Sequence, residues 1–278
     1  METTGENSLL VLGNGFDQSF GLKTGYKDFL SSNEFATIYH NSLGLTNSGL
    51  INTLHQRNTL ENWIDVELAI KQFAIHYSRS SNSDVHATKI RIEFNYLKEG
   101  LLSYLSEVIN TSDLSIQSSF KEFSKKISGK PLDIMNFNYT DVFSVISDRD
   151  NMKTIFSNIK SANNIHGTLE DRNIIFGIDG TQSDDVSDKI TFLEKESNIN
   201  YKPKDARKLL SNANEIFFYG VSLGETDRRY YQPFFQELLN SSKEKKMFFS
   251  FYGDESRQYL HNILTCFNNS EFKIQCCF

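Results

Sequence analysis

Four apolar residues, Leu9-Leu10-Val11-Leu12, run straight into Gly13-Asn14-Gly15-Phe16-Asp17. An unbroken apolar run suits a strand buried on both faces, the setting of a parallel sheet covered by helices. Strand, glycine turn and helix start then form one ligand-binding unit. The glycines permit close backbone approach, and unpaired N–H groups at the helix start attract anions. Gly13, Asn14 and Gly15 are therefore the first candidate ligand residues. The turn departs from the dinucleotide fingerprint GxGxxG, because Gln18 occupies the third glycine position. A glycine turn after a strand also has a purely structural reading.

Beyond this unit the texture alternates. Residues 43–52 are rich in Asn, Gly, Ser and Thr and read as a loop. Apolar residues then recur at helical spacing: Leu60, Trp63, Ile64 and Leu68, then Ile90, Phe94, Leu97, Leu101, Leu105 and Val108, then Ile116, Phe120, Phe123 and Ile127. After Gly129-Lys130-Pro131 short apolar runs return at 132–137, 173–178, 215–219, 247–252 and 272–276. Amphipathic segments at 205–211, 227–240 and 256–267 separate the later ones. Strands alternating with helices predict an α/β fold, a Rossmann-like parallel sheet with helices on both faces. The expected division is a core of residues 1–32 and 129–278 with a helical insertion module at 33–128.

Ligands of such sheets bind beyond the carboxyl ends of the strands. Asn136-Phe137-Asn138-Tyr139-Thr140-Asp141 follows one apolar run. Either asparagine can cap a helix, but an amide can also hold a ribose hydroxyl by donating and accepting together. Asn164-Ile165-His166-Gly167 offers a histidine suited to proton transfer near neutral pH, or a packed core residue. Tyr219-Gly220-Val221-Ser222-Leu223-Gly224-Glu225-Thr226-Asp227 offers a second phosphate or ribose loop. It also matches the nucleophile elbow GxSxG. A hydrolase of that type places its histidine after the serine, where only His261 stands, in an amphipathic segment. Arg228-Arg229 opposes the dipole of the helix it opens, which suits a phosphate or carboxylate partner. Trp63-Ile64-Asp65-Val66-Glu67 reads as a packing stripe, because carboxylates two residues apart do not share a helix face.

The net charge of −6 argues against broad electrostatic capture of nucleic acid, while leaving room for a local basic patch. No stretch approaches the ~20 apolar residues of a membrane helix, and the N-terminus does not read as a signal peptide. Three cysteines, Cys266, Cys276 and Cys277, supply neither a disulfide framework nor a four-cysteine zinc site, which suits a reduced cytoplasm.

Taken in order, the glycine loop, the asparagine motif, the His-Gly pair and the Gly-x-Ser loop resemble the ligand loops of the sirtuin superfamily. The wording is closer still to the AbiH-type phage abortive-infection family. That family's pieces resemble Gly13-Asn14-Gly15-Phe16-Asp17 continued by Gly21-Leu22-Lys23-Thr24-Gly25-Tyr26-Lys27-Asp28-Phe29, Trp63-Ile64-Asp65-Val66-Glu67, Phe137-Asn138-Tyr139-Thr140, Ile165-His166-Gly167 and Ser222-Leu223-Gly224-Glu225-Thr226-Asp227. The resemblance implies an NAD-binding Rossmann-like core acting in anti-phage defence. Asn138 would hold the nicotinamide ribose and His166 would accept a proton. Gly13, Asn14 and Gly15 would lie against the pyrophosphate, Ser222 near the adenosine side and Asp17 or Asp28 at the nicotinamide end, with Phe16, Gly220, Leu223 and Asp227 as further cofactor-binding residues. Sirtuin deacylases carry a zinc module with paired cysteines. This chain has none, so no zinc is expected and deacylation is not implied.

Three functions remain in view: hydrolysis of NAD to nicotinamide and ADP-ribose, a non-catalytic nucleotide-binding defence module, and a metal-dependent nuclease built on Asp17, Asp141 and Asp227. The helical insertion is the expected seat of a partner protein or phage trigger. A homo-oligomer is implied by resemblance alone.

Overall fold

The structure is a computed structural model that describes residues 7–42, 49–60, 65–79, 84–147, 150–153, 155–180, 187–221, 228–240, 245–250 and 274–277. In chain order, β1 (Ser8–Leu12) leads to α1 (Asn14–Gln18), α2 (Tyr26–Leu30), α3 (Asn33–Ser42) and α4 (Leu50–Leu60). Then come α5 (Val66–Ser78), α6 (Asp84–Thr111), α7 (Ser118–Ile127), β2 (Leu132–Asn136), α8 (Val142–Ser147) and α9 (Asp150–Lys153). The chain continues through β3 (Ile159–Asn164), α10 (Pro203–Asn212), β4 (Glu215–Tyr219), α11 (Arg228–Leu239), β5 (Lys246–Ser250) and β6 (Ile274–Cys277). Two compact units result. A sheet unit holds residues 1–22, 113–168 and 202–278, and a helical unit holds 23–112 and 169–201.

In the sheet unit all pairings are parallel and the strand order is β3-β2-β1-β4-β5-β6. This is the doubly wound Rossmann order, and the fold class expected from the sequence is present. β1 is central and wholly buried, as its apolar run requires. Each of Leu9, Leu10, Val11 and Leu12 contributes about 1.5–3 kcal/mol by leaving water. Register places Leu12 between Asn136 of β2 and Tyr219 of β4, so both neighbours end level with the glycine turn.

Three expectations are corrected. Residues 173–178 are not a strand: Ile174, Ile175, Phe176 and Ile178 are buried in the helical unit, with a lone bridge from Ile178 to Glu194. The third strand is instead the polar edge segment Ile-Lys-Ser-Ala-Asn-Asn at β3. Leu50–Asn52, expected in a loop, opens α4, where Leu50 and Ile51 are buried and the Ile51 N–H donates to buried Glu93 at 3.1 Å. Helix α7 lies in the sheet unit, where Phe120 and Phe123 pack against Tyr219 at 5.4 and 4.7 Å between ring centroids.

The helical unit is organised around α6, whose Ile90, Phe94, Leu97, Leu101 and Leu105 are buried at the expected spacing. Asp65 caps α5 by accepting from the Leu68 N–H at 3.0 Å. Buried Glu67 accepts from Lys195 Nζ at 2.8 Å and from the Tyr26 hydroxyl at 3.3 Å. Removing one partner of so buried a pair leaves an uncompensated charge, so this cluster holds its segments together. Among the described residues no helix is long and apolar enough to cross a membrane.

Candidate functional site

In the order β3-β2-β1-β4 the chain reverses direction of sheet growth between β1 and β4, which makes the carboxyl ends of these two strands the topological switch point. Gly13 and Gly15 follow β1 there, and Gly220 follows β4. The two turns touch. The Gly13 N–H donates to Tyr219 O at 3.0 Å and the Gly15 N–H to Gly220 O at 3.1 Å. A Cβ on Gly13 would stand 2.5 Å from Gly220 O, and one on Gly15 would stand 2.6 Å from Gly220 Cα. Gly220 has φ +65°, and its own Cβ would meet Gly15 C at 2.5 Å. The glycines are thus required by one another: they let two backbone turns close together. Two of the amides expected to face a pyrophosphate are spent on that contact.

Beside the closed turns lies a cleft of about 140 Å³. Gly15, Gln18 and Ser19 line it from the β1 side, Gln117 and Ser119 from the start of α7, and Tyr219, Gly220 and Ser250 from the ends of β4 and β5. Its polar groups are hydroxyls and amides. The Ser119 hydroxyl lies 3.2 Å from the Tyr219 hydroxyl, and Gln117 Nε2 donates to Gln18 O at 3.3 Å. Such a lining fits the hydroxyls of a ribose better than a bare phosphate. Gln18 and Tyr219 border two of the sequence motifs, but Ser19, Gln117, Ser119 and Ser250 were not singled out in the sequence. They carry no motif, and the sheet order alone brings them together.

On the other side of β1 the asparagine motif forms a buried network. Asp17, 1% exposed, accepts from Asn138 Nδ2 at 2.9 Å and from the Thr140 hydroxyl. Asn138, 8% exposed, also donates to Gly13 O at 3.1 Å, so both its amide hydrogens are engaged. Asn136 Nδ2 donates to Thr140 O and to Asn164 Oδ1, each at 3.0 Å, and Asn136 Oδ1 accepts from the Asn138 N–H. The network ties the ends of β1, β2 and β3 together. What Asn138 can still offer a ligand is its carbonyl oxygen.

His166 follows β3 and is 5% exposed. Its Nε2 lies 3.1 Å from the hydroxyl of Tyr230, a fully buried residue of α11. Phe137 stands edge-on to both rings, 5.3 Å from His166 and 5.1 Å from Tyr230. Tyr230 was missed in the sequence. The tyrosine pair after Arg228-Arg229 is a visible signal, but its pairing spans 64 residues of chain. A histidine on a tyrosine hydroxyl has one ring nitrogen oriented, which suits proton transfer through that hydroxyl.

The remaining expected positions fall as follows. Asn14 is half-buried in the first turn of α1. Phe16 is a core residue, packed edge-on against Phe20, Phe120 and Tyr219. Asp28 lies in the helical unit, where its Oδ2 accepts from the Gly25 N–H at 3.2 Å at the start of α2. Ser222, Leu223 and Asp227 lie outside the described residues. Among the described residues no group of three or more His, Cys, Asp or Glu side chains is placed to hold a metal ion.

The comparisons with known proteins add one match. The family model described as "Bacteriophage abortive infection AbiH" matches residues 9–251, from the first strand past the end of β5. No curated protein matches the chain.

Proposed function

This chain belongs to the bacteriophage abortive infection AbiH family, and from that premise we propose that it acts in phage defence by binding NAD at the carboxyl edge of its sheet and hydrolysing it to nicotinamide and ADP-ribose. One observation carries the reading. The Rossmann strand order brings the glycine turn after β1, Asn138 after β2, His166 after β3 and Gly220 after β4 to a single edge of one sheet. The resemblance of those four segments to sirtuin loops supports NAD as the ligand.

In this reading the cleft between the turns and α7 takes a ribose, and the Asn138 carbonyl accepts from a hydroxyl of the nicotinamide ribose. Cleavage of the nicotinamide–ribose bond sends the bonding pair to nicotinamide and leaves an oxocarbenium-like ribosyl centre, and water then bonds to that carbon. His166 takes the proton that the attacking water releases, with the Tyr230 hydroxyl as the link between the buried imidazole and the reaction.

The test is NAD consumption by the purified protein with both products quantified. Equal release of nicotinamide and ADP-ribose is expected, lost in His166→Gln while the protein stays folded. Undiminished turnover in that variant would remove His166 from the chemistry. A second reading has its own support: both Asn138 amide hydrogens are engaged and His166 is nearly closed off, as in a module that binds without turnover. Saturable NAD binding with no nicotinamide release selects that reading. Neither binding nor release rejects NAD.

A further inference from the structure

Helix α10 buries Ala206 and Leu210 completely, and α11 buries Tyr230, Phe234 and Phe235. Between the two helices runs an open groove of about 270 Å³. Lys204, Arg207 and Lys208 line it from α10. Spaced three and four residues apart, they share one helix face, where like charges repel. Pro233 and Phe234 supply its apolar lining from α11.

Among the described residues, none of the three cationic side chains makes an ion pair or hydrogen bond, and Arg207 Nε is a buried donor with no acceptor. A buried unsatisfied donor costs free energy, and in a guanidinium it belongs to a planar fork shaped for an oxyanion. The neighbouring Lys245 differs: its Nζ donates to Leu210 O and Ser211 O at 3.3 and 2.7 Å, closing the end of α10. Among the described residues one acid lines the groove, Glu237, which accepts from the Ser211 hydroxyl at 3.1 Å. In a chain of net charge −6, three cations with no partner among the described residues form a local positive site around one cleft.

We propose that the α10–α11 groove is an oxyanion site that takes the phosphate group of a small phosphate-bearing ligand. Arg207 grips two phosphate oxygens through its fork, Lys204 and Lys208 add point charge, and Pro233 and Phe234 receive whatever less polar group the phosphate carries. The site is separate from the proposed NAD cleft and does not depend on it.

The test is calorimetric titration of the full chain with inorganic pyrophosphate, alongside ADP. Saturable pyrophosphate binding is expected, weakened about tenfold or more in Arg207→Gln and again in the Lys204→Gln/Lys208→Gln double variant. Glu237→Gln should tighten it, because a repelling carboxylate is removed. All four positions reach the surface of the groove, so unchanged melting transitions are expected and are checked first. Binding should persist in His166→Gln, which separates this site from the NAD reading. Tighter binding of ADP identifies a nucleotide as the source of the phosphate, and equal binding a bare phosphate group. Absence of pyrophosphate binding, or binding that the α10 variants leave unchanged, overturns the proposal.

Discussion

The two ends of the parallel sheet treat a buried carboxylate differently. At the amino end Glu215 opens β4 and is met by Lys130 at 2.6 Å, Lys246 at 3.5 Å and the Ser8 hydroxyl at 3.4 Å. At the carboxyl end Asp17 is met by the Asn138 amide at 2.9 Å and by the Thr140 hydroxyl. Two lysines lower the cost of burying the Glu215 charge, whereas the Asn138 and Thr140 donors fix the direction of the Asp17 carboxylate. The first arrangement serves stability. The second holds a directed acid at the edge where sheets of this order bind ligands.

The sharpest way to break this comparison is to neutralise each acid. Asp17→Asn turns one of the two acceptor oxygens into a donor, which then faces either the Asn138 amide or the Thr140 hydroxyl. The charge assistance is lost and at least one of the two bonds must reverse or break, so unfolding free energy should fall by about 2–4 kcal/mol. Glu215→Gln should cost only about 1 kcal/mol, because the Lys130 and Lys246 side chains are 30% and 62% exposed. Urea unfolding of both variants measures the difference. Equal losses would mean that the two ends are built alike.

A second break acts on the switch point itself. Gly220→Ala sets a side chain at φ +65° and against the Gly15 backbone. A loss of about 2 kcal/mol is expected from the left-handed conformation together with the forced separation of the turns. A stable variant with unchanged unfolding would show that the turns part easily, which would return the Gly13 and Gly15 amides to a ligand.

How much of this was legible follows from the kind of signal each part leaves. β1 and β4 each hold a continuous apolar run, and β4 spans the residues 215–219 read from the chain. β3 was not legible: its alternation Ile-Lys-Ser-Ala-Asn-Asn is too polar to register as a strand, because an edge position buries little of it. Residues 173–178 misled for the opposite reason. Phe176 stacks on Phe94 at 5.4 Å, and an apolar run that packs among helices looks the same as one that pairs in a sheet. At the candidate site the motifs gave positions but not partners. Gly13, Gly15, Asn138 and His166 do stand at strand ends, yet the hydrogen bonds of Asn138 to Asp17 and of His166 to Tyr230 join residues 121 and 64 apart, which no local pattern encodes. The chemical reason for the glycines also differs from the expected one: they accommodate each other.

The His166–Tyr230 pair gives a way to sharpen the comparison rather than break it. Tyr230→Phe keeps the ring that packs on Phe137 and removes one hydroxyl, so stability should fall by about 1 kcal/mol. If the carboxyl end is functional, NAD turnover should fall far more than that loss accounts for, with NAD affinity changing little. Parallel losses of stability and turnover would reduce the pair to a packing contact.

The smallest expected effect lies at the amino end and is a matter of pH. Burial alone would push the Glu215 carboxyl up, but Lys130 and then Lys246 outweigh it and hold the group below the usual carboxylate range. A depressed folded-state pKa means that the unfolded chain binds the proton more readily. The pair's contribution is therefore complete above the unfolded value of about 4.3 and is lost as pH falls through the folded value. Lys130→Met should cost under about 1 kcal/mol at pH 7, and the gap from the parent protein should close as the medium is acidified below that window. Lys130 Nζ also stands 5.8 Å over the Phe217 ring. Unfolding curves collected from neutral to acid pH separate the two contributions: a gap that closes belongs to Glu215, and a gap that stays constant belongs to the ring. A constant gap would leave Glu215 without its main cation in energetic terms, and the stabilising role given to the amino end would fall.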